Sequence, residues 1–217
     1  MKEYSAEQML EQLVAFDTTS WKSNLELIDF VTAYLEGHGV PVRTFFNEEG
    51  TKANLLATIG PKDMPGIILS GHTDVVPVTE QKWSGDPFAM WGNDDRLYGR
   101  GTCDMKGFIA CVLTAVPDFV AADLKEPIHL AFSYDEENGC TGVMSLVEHV
   151  GKMPVKPRAC IVGEPTSMKV VNSHKGICNM LTRVTGHEAH SSTDRGINAV
   201  MYAADMVQFI SGLAAEM

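Results

Sequence analysis

Apolar residues recur at helical intervals twice near the start of the chain. Met9, Leu13, Val14 and Phe16 follow Ser5 and Gln8, a capping-box pair, and predict a helix starting near Ser5. Leu25, Ile28, Val31 and Leu35 predict a second helix from Ser23 to about Glu36, stopped by Gly37 and Gly39. Short runs rich in Val, Ile, Leu and Phe at 40–46, 53–59 and 67–70, separated by Gly-Pro or Pro-Gly, read as strands and turns. Two more strands are expected at Ile128–Tyr134 and Ala159–Val162, with helices at Phe108–Phe119 and Gly142–Val150 between them. Strands alternating with helices define an α/β fold with a mostly parallel central sheet flanked by helices.

After Gly176 the pattern changes to a strand-like ICNMLTRVTG, a polar loop, and an apolar helix from about Ile197 to Leu213. Residues 1–178 are therefore expected to form the site-bearing domain, and 179–217 the beginning of a smaller α+β domain. No repeat or low-complexity segment is visible. The final helix meets no stop signal beyond Gly212, so the chain reads as one cut short.

Composition narrows the function. With 217 residues and 45% hydrophobic content the chain can bury a substantial core. Its 28 acids against 17 lysines and arginines, net −11, argue against a nucleic-acid partner, which needs a clustered basic face. Five cysteines, odd in number and without a CxxC pair, suggest neither a disulfide framework nor a thiolate zinc site, and a reducing cytoplasm fits them. The N-terminus lacks a signal-peptide pattern, and no apolar run approaches membrane-span length.

The candidate chemistry sits just past the ends of predicted strands. IILSG leads into His72 and Asp74, LAFSY into Asp135, Glu136 and Glu137, and CIVG into Glu164, while Asp104 follows the Gly99-Arg-Gly101 turn. In open α/β sheets ligands bind in the crevice outside the carboxyl ends of the strands. Acids converging there without cations would repel one another, and a bound divalent metal resolves the conflict. One imidazole with several carboxylates and no thiolate suits an open catalytic site for zinc, cobalt or manganese. His72 and Asp74, two apart on an extended backbone, share a side, so one can ligate while the other orients it. Of the adjacent Glu136 and Glu137, one can bind metal while the other serves as general base. Singly, each piece has a structural reading: a chance HxD, a solvated acidic turn, an N-cap at Asp104. Their conjunction at successive strand ends carries the inference. A calcium module would need its oxygen ligands packed along one loop, whereas these are spread along the chain.

His38 and His149 near helix C-termini, and His129 in a strand, read as structural, while His174 and His187 stay undecided. Cys103 reads as a packing residue, and Trp83, Phe88 and Trp91 as packing for a loop near the site.

The strings LSGHTDVVPV, LYGRGTCDMKG, SYDEENGCTG and IVGEPT resemble, in order and spacing, the two-zinc exopeptidases and deacylases. That family includes succinyl-diaminopimelate desuccinylase, aminoacylase, glutamate carboxypeptidase and acetylornithine deacetylase, and GEPTSMKVVNSHKG with GHEAHSS and RGINAV looks most like the last. The resemblance implies that His72 and Glu164 hold one zinc or cobalt ion, Asp104 bridges two, and Glu137 holds the second. It further implies that Glu136 is the general acid/base, that Asp74 orients His72, and that the Asp104–Met105 peptide is cis. His190, in a loop a residue shorter than usual and lacking its common proline, matches a histidine of the small domain that contacts substrate, commonly from a partner subunit. The implied activity is hydrolysis of the amide of a small N-acylated amino acid, foremost N-acetylornithine in arginine biosynthesis, by a cytoplasmic homodimer. Related dipeptidase, desuccinylase and aminoacylase activities, and an inactive metal-binding fragment, are the alternatives. Family members are about twice as long and carry a last metal-binding histidine near their end, so the 217-residue chain alone is expected to be inactive or nearly so.

Overall fold

The computed structural model describes residues 3–217, which divide into two compact units, residues 3–170 and 171–217. The first is an α/β layer structure. Its five-stranded sheet runs β1 (Val42–Phe46), β2 (Ala53–Ile59), β6 (Ile128–Ser133), β3 (Ile67–His72), β7 (Ala159–Val162) in spatial order. β3 pairs parallel with both β6 and β7, whereas β2 is antiparallel to both β1 and β6. Four of the five strands thus point the same way, as expected of a mostly parallel sheet, and β2 is reversed because a short turn joins it to β1. A two-stranded ribbon, β4 (Trp91–Asn93) and β5 (Arg96–Tyr98), stands apart, with Trp91 and Tyr98 stacked 4.2 Å between centroids.

The first helix, α1 (Ala6–Ala15), starts at Ser5 with both halves of the capping box formed: Gln8 N–H donates to Ser5 Oγ and Ser5 N–H to Gln8 Oε1. The second, α2 (Leu25–Gly37), begins two residues later than its periodicity suggested. Asn24, buried, is its N-cap, and the amide donates to the Ala53 carbonyl and Thr73 Oγ1 while accepting from Ala53 N–H. The predicted helix at 108–119 is two helices, α3 (Lys106–Thr114) and α4 (Val116–Ala121). Pro117 sits in the first turn of α4, where its missing N–H costs nothing but would break a continuous helix. The last helix of this unit, α5 (Met144–Gly151), follows a short 3₁₀ turn at 141–143.

The main core lies between one sheet face and α1, α2 and α3, with Leu13, Leu27, Val31, Leu55, Leu113, Leu130 and Phe132 all inaccessible to solvent. A smaller cluster of Leu56, Ile68, Ala131 and Leu146 fills the space between the other face and α5. Side chains from alternate positions of β2 and β6 feed the two clusters, as the period of a two-sided strand requires.

In the second unit the strand expected at 177–186 does not form. Ile177, Met180 and Leu181 are exposed, and among the described residues no strand lies beside the segment to accept its hydrogen bonds. An isolated bridge pairs His187 with Ile197, and α6 (Ala199–Glu216) begins at Asn198, whose side chain accepts from Val200 N–H. Its large apolar residues, Phe209 and Leu213 among them, are exposed. Among the described residues no helix is long and apolar enough to cross a membrane.

One charged side chain is wholly enclosed in the main core. Lys106, the first residue of α3, donates from Nζ to the Leu13 carbonyl at 2.9 Å and the Phe16 carbonyl at 2.7 Å, closing the C-terminal end of α1. Burial pushes its pKa down to about 7 from 10.5, against the opposing pull of Asp17 and Asp74. A neutral amine still has the two donors those carbonyls need. The unfolded chain therefore binds one more proton than the folded one between pH 7 and 10.5, and this lysine's contribution to stability rises with pH across that window. Lys106→Met should cost about 2–4 kcal/mol at pH 7 by orphaning two buried carbonyls. In urea unfolding, the gap between wild type and variant should widen from pH 7 to 9 by up to about 1.4 kcal/mol per pH unit; a constant or shrinking gap would contradict this.

Candidate metal centre

β3 ends at His72, and its register with β6 sets His72 beside Ser133. Beyond this pair the two strand exits are tied together. Thr73 N–H and Oγ1 both donate to the Ser133 carbonyl, while Thr18 Oγ1 donates to the Thr73 carbonyl. The segment after α1 joins through a bridge between Thr19 and Val75.

Asp74 is the hub of this arrangement. Its buried carboxylate accepts from Ser20 Oγ at 2.8 Å, from Glu136 N–H at 3.1 Å and from Glu137 N–H at 3.2 Å. Burial alone would raise its pKa, but the hydrogen bonds from His72, Ser20 and Glu136 and the His72 charge hold it below its ordinary value. One carboxylate thus fixes both the imidazole two residues before it and the backbone of the acid pair after β6. The turn carrying that pair is held from the other side. Asp135 adopts a left-handed conformation, φ 53°, and its carboxylate pairs with Lys52, whose Nζ also donates to the Ser20 carbonyl. The loop is closed by bonds from Cys140 N–H to the Glu136 carbonyl and from Thr141 N–H to that of Asp135.

The other acids arrive from α3 and β7. Gly101, at φ +88°, turns the chain ahead of Asp104, and the Asp104–Met105 peptide is cis, as the resemblance implied. Glu164 follows β7 and Gly163, where an added Cβ would lie 2.0 Å from the Phe108 ring, so only glycine lets this strand end approach α3.

The acids gather around one nitrogen. His72 Nδ1 is 2.9 Å from the Asp74 carbonyl oxygen, which can only accept, so Nδ1 carries a proton and Nε2 faces the cluster. From Nε2 the distances are 3.1 Å to Asp104 Oδ1, 3.5 Å to Glu164 Oε1 and 3.9 Å to Glu136 Oε2. Two groups have donor atoms within 4.8 Å of one another: His72 with Glu136 and Glu164, and His72 with Asp104 and Glu137. His72, Asp74, Asp104, Glu136, Glu137 and Glu164 are therefore brought together. His190 lies in the second unit, exposed, its Nδ1 accepting from Ser192 N–H.

The electrostatics show a cation deficit. Burial would lower the pKa of His72, yet Asp74 and Glu164 raise it to about 9. Burial and the charges of Asp104 and Glu136 raise Glu164 to about 7, against the pull of His72, and burial with Asp104 raises Glu137. Without metal the cluster must take up protons to lower its own repulsion. An imidazole lone pair facing several carboxylates is a donor set that fits a divalent transition metal, and a metal would displace those protons.

Sequence reasoning missed Ser20, Lys52 and Lys106. The first two touch the cluster's supports across 54 and 83 positions of sequence, so no local spacing marks them. Of the remaining histidines, His38 caps α2 against Tyr34, His129 lies 2.9 Å from Thr58 Oγ1, and His149 packs on Phe45. Trp83 lies under the Arg100 guanidinium, packing its loop.

The profile of peptidase family M20/M25/M40 matches residues 68–217. An acetylornithine deacetylase of Proteus mirabilis is 35% identical over 202 residues, covering 92% of this chain and 51% of that protein. One of Yersinia pseudotuberculosis is 38% identical over 192 residues, 86% of this chain and 49% of that protein. The chain thus spans about half the length of the curated relatives it matches. Among solved structures, human carnosine dipeptidase 1 aligns with a TM-score of 0.64 at 23% identity, over 72% of this chain and 38% of that one. An M20 family metallo-carboxypeptidase of Sulfolobus solfataricus gives 0.64 at 20% identity, over 74% and 37%. At those identities the likeness establishes the fold.

The protons held by His72 and Glu164 give a direct test. Zinc titrated into metal-free protein at pH 7, in two buffers of different ionisation enthalpy, should release at least one proton per first metal bound, and affinity should rise with pH toward 9. Binding without proton release, or undiminished in His72→Ala, would show that the metal sits elsewhere.

Proposed function

The chain belongs to peptidase family M20/M25/M40, and from that premise we propose that it forms the metal-binding part of a hydrolase that removes the acetyl group from N-acetylornithine. The observation that carries the hydrolytic reading is the set of carboxylates facing His72 Nε2, held at the ends of three strands and the start of a helix. The 35–38% identity to acetylornithine deacetylases over most of the chain carries the substrate reading.

In this reading His72 and Glu164 would hold one metal, Glu137 would hold a second and Asp104 would serve both, zinc or cobalt being suited to the donors. Bound there, the metals supply Lewis-acid polarisation of the carbonyl and activation of water. Asp74 keeps His72 in the tautomer that presents Nε2. Glu136 takes the proton of the attacking water on its carboxylate and returns it to the departing amine nitrogen, so the amide is cleaved without a free amide anion. Asp74 anchors the backbone of both Glu136 and Glu137, so the two side chains leave one fixed turn for different tasks. His190 is proposed to contact the substrate from the smaller unit, with a homodimer as the assembly that brings it there. The family resemblance supports that role.

The longest reading frame containing this sequence should hydrolyse N-acetylornithine faster than N-succinyl-diaminopimelate or a dipeptide such as carnosine. Glu136→Gln should keep its metal and lower kcat by at least ~10²-fold, the usual share of general acid/base catalysis. Glu137→Gln should instead reduce metal content from two ions to one. Preference for the dipeptide would move the protein to another branch of the family, and metal loss in Glu136→Gln with only rate loss in Glu137→Gln would reverse the two assignments.

A further inference from the structure

On the sheet face that carries α5, a cavity of about 450 Å³ opens between β1, the end of β2, the start of β6 and the segment after α5. It is at the other end of the strands from the metal centre: His129, which lines it, is the second residue of β6, whereas Ser133 beside His72 is the last. Three cationic side chains line it, Arg43, Lys62 and Lys152, with the neutral imidazoles of His129 and His149 among them, and no carboxylate does. That is a local reversal in a chain of net charge −11.

The cations are poorly neutralised. Arg43 lies over the Phe45 ring, 5.0 Å from its centroid, and among the described residues neither Arg43 nor Lys62 pairs with an acid. Lys152 has only an exposed contact to Glu148 at 3.6 Å, of the kind that contributes little. His149 registers the local field: burial, then the charges of Arg43 and Lys152, hold its imidazole below its ordinary pKa. Between the basic groups the lining is apolar, with Leu56, Met153, Pro154 and Val155. A cavity of several hundred cubic ångströms, mostly apolar with a few charged groups that fix orientation, has the form of a small-molecule site.

We infer that this cavity binds a small organic anion, an oxyanion head on an apolar body, at a site separate from the metal centre. Arg43 would engage the head with its planar fork of donors, Lys62 and Lys152 would add point charges, and the body would rest on Leu56 and Val155. Carboxylate and phosphate heads share this chemistry, so two probes distinguish them.

The ring-proton resonances of His129 and His149 report occupancy directly. They are followed by NMR while 2-methylbutyrate or phenyl phosphate is added to the metal-free chain at constant ionic strength. One probe or both should give saturable shifts with a Kd on the order of 1 mM or tighter, as ligands of roughly seven to eleven heavy atoms allow. Arg43→Gln should weaken binding at least tenfold, and Lys62→Gln, at an exposed position where folding is not at stake, at least threefold; Lys125→Gln, paired with Asp123 elsewhere, should leave it unchanged. Saturation by the carboxylate alone or the phosphate alone identifies the head. Shifts that never saturate, or an affinity equal in wild type, Arg43→Gln and Lys62→Gln, would overturn the proposal.

Discussion

The site rests on one electrostatic constraint: five carboxylates crowd around a single buried imidazole, and burial with their mutual repulsion raises Glu137 and Glu164 above their ordinary values. Asp74, Asp104, Glu136, Glu137 and Glu164 come from four separate stretches of chain, and three strand ends and a helix start must be held against their mutual repulsion. The protein meets part of the cost with protons, which is why His72 rises to about 9 and Glu164 to about 7. Hydrogen bonds and the Lys52–Asp135 ion pair hold the remainder in place. A bound metal ion would turn the same crowding from a liability into a donor set.

The anchoring is concentrated in Asp74. Because its carboxylate receives Ser20 and the backbone of Glu136 and Glu137, while its own backbone carbonyl fixes the His72 tautomer, three pieces of chain share one buried group. Lys52 and Asp135 brace the turn from the outside, and Lys106 joins the helix after Asp104 to the end of α1. These supports have one physical character: each is a charged group largely withdrawn from water and held by hydrogen bonds, which makes it stiff. A metal centre needs such stiffness, since its ligands must remain within a fraction of an ångström of their positions when the ion leaves.

Much of this was legible in the sequence, and the reason is periodicity. Leu25, Ile28, Val31 and Leu35 announce a buried helix face, and the capping box at Ser5 announces where α1 starts, because both signals are local. That His72, Asp104, Glu136, Glu137 and Glu164 gather at one place was legible because a histidine and several acids at successive strand ends together outweigh the structural reading each has singly. Three features were not. The break at Pro117 is hidden by an apolar pattern that continues across it, and only the missing N–H marks it. The segment 177–186 alternates like a strand, but alternation records which faces differ and cannot supply a partner. Ser20, Lys52 and Lys106 act across long stretches of chain on groups whose position only the fold defines, so their polar identity carried no signal of its own.

The central claim is that the carboxylate cluster around His72 is a metal centre. Anomalous X-ray diffraction at the zinc edge, on crystals grown from protein loaded with zinc and dialysed, tests it most directly. The account predicts an anomalous peak about 2.0–2.1 Å from His72 Nε2, the usual zinc–imidazole distance, with a Glu164 oxygen in its coordination shell. An anomalous map with no peak within bonding reach of His72, or with zinc bound only at histidines elsewhere in the chain, would contradict it.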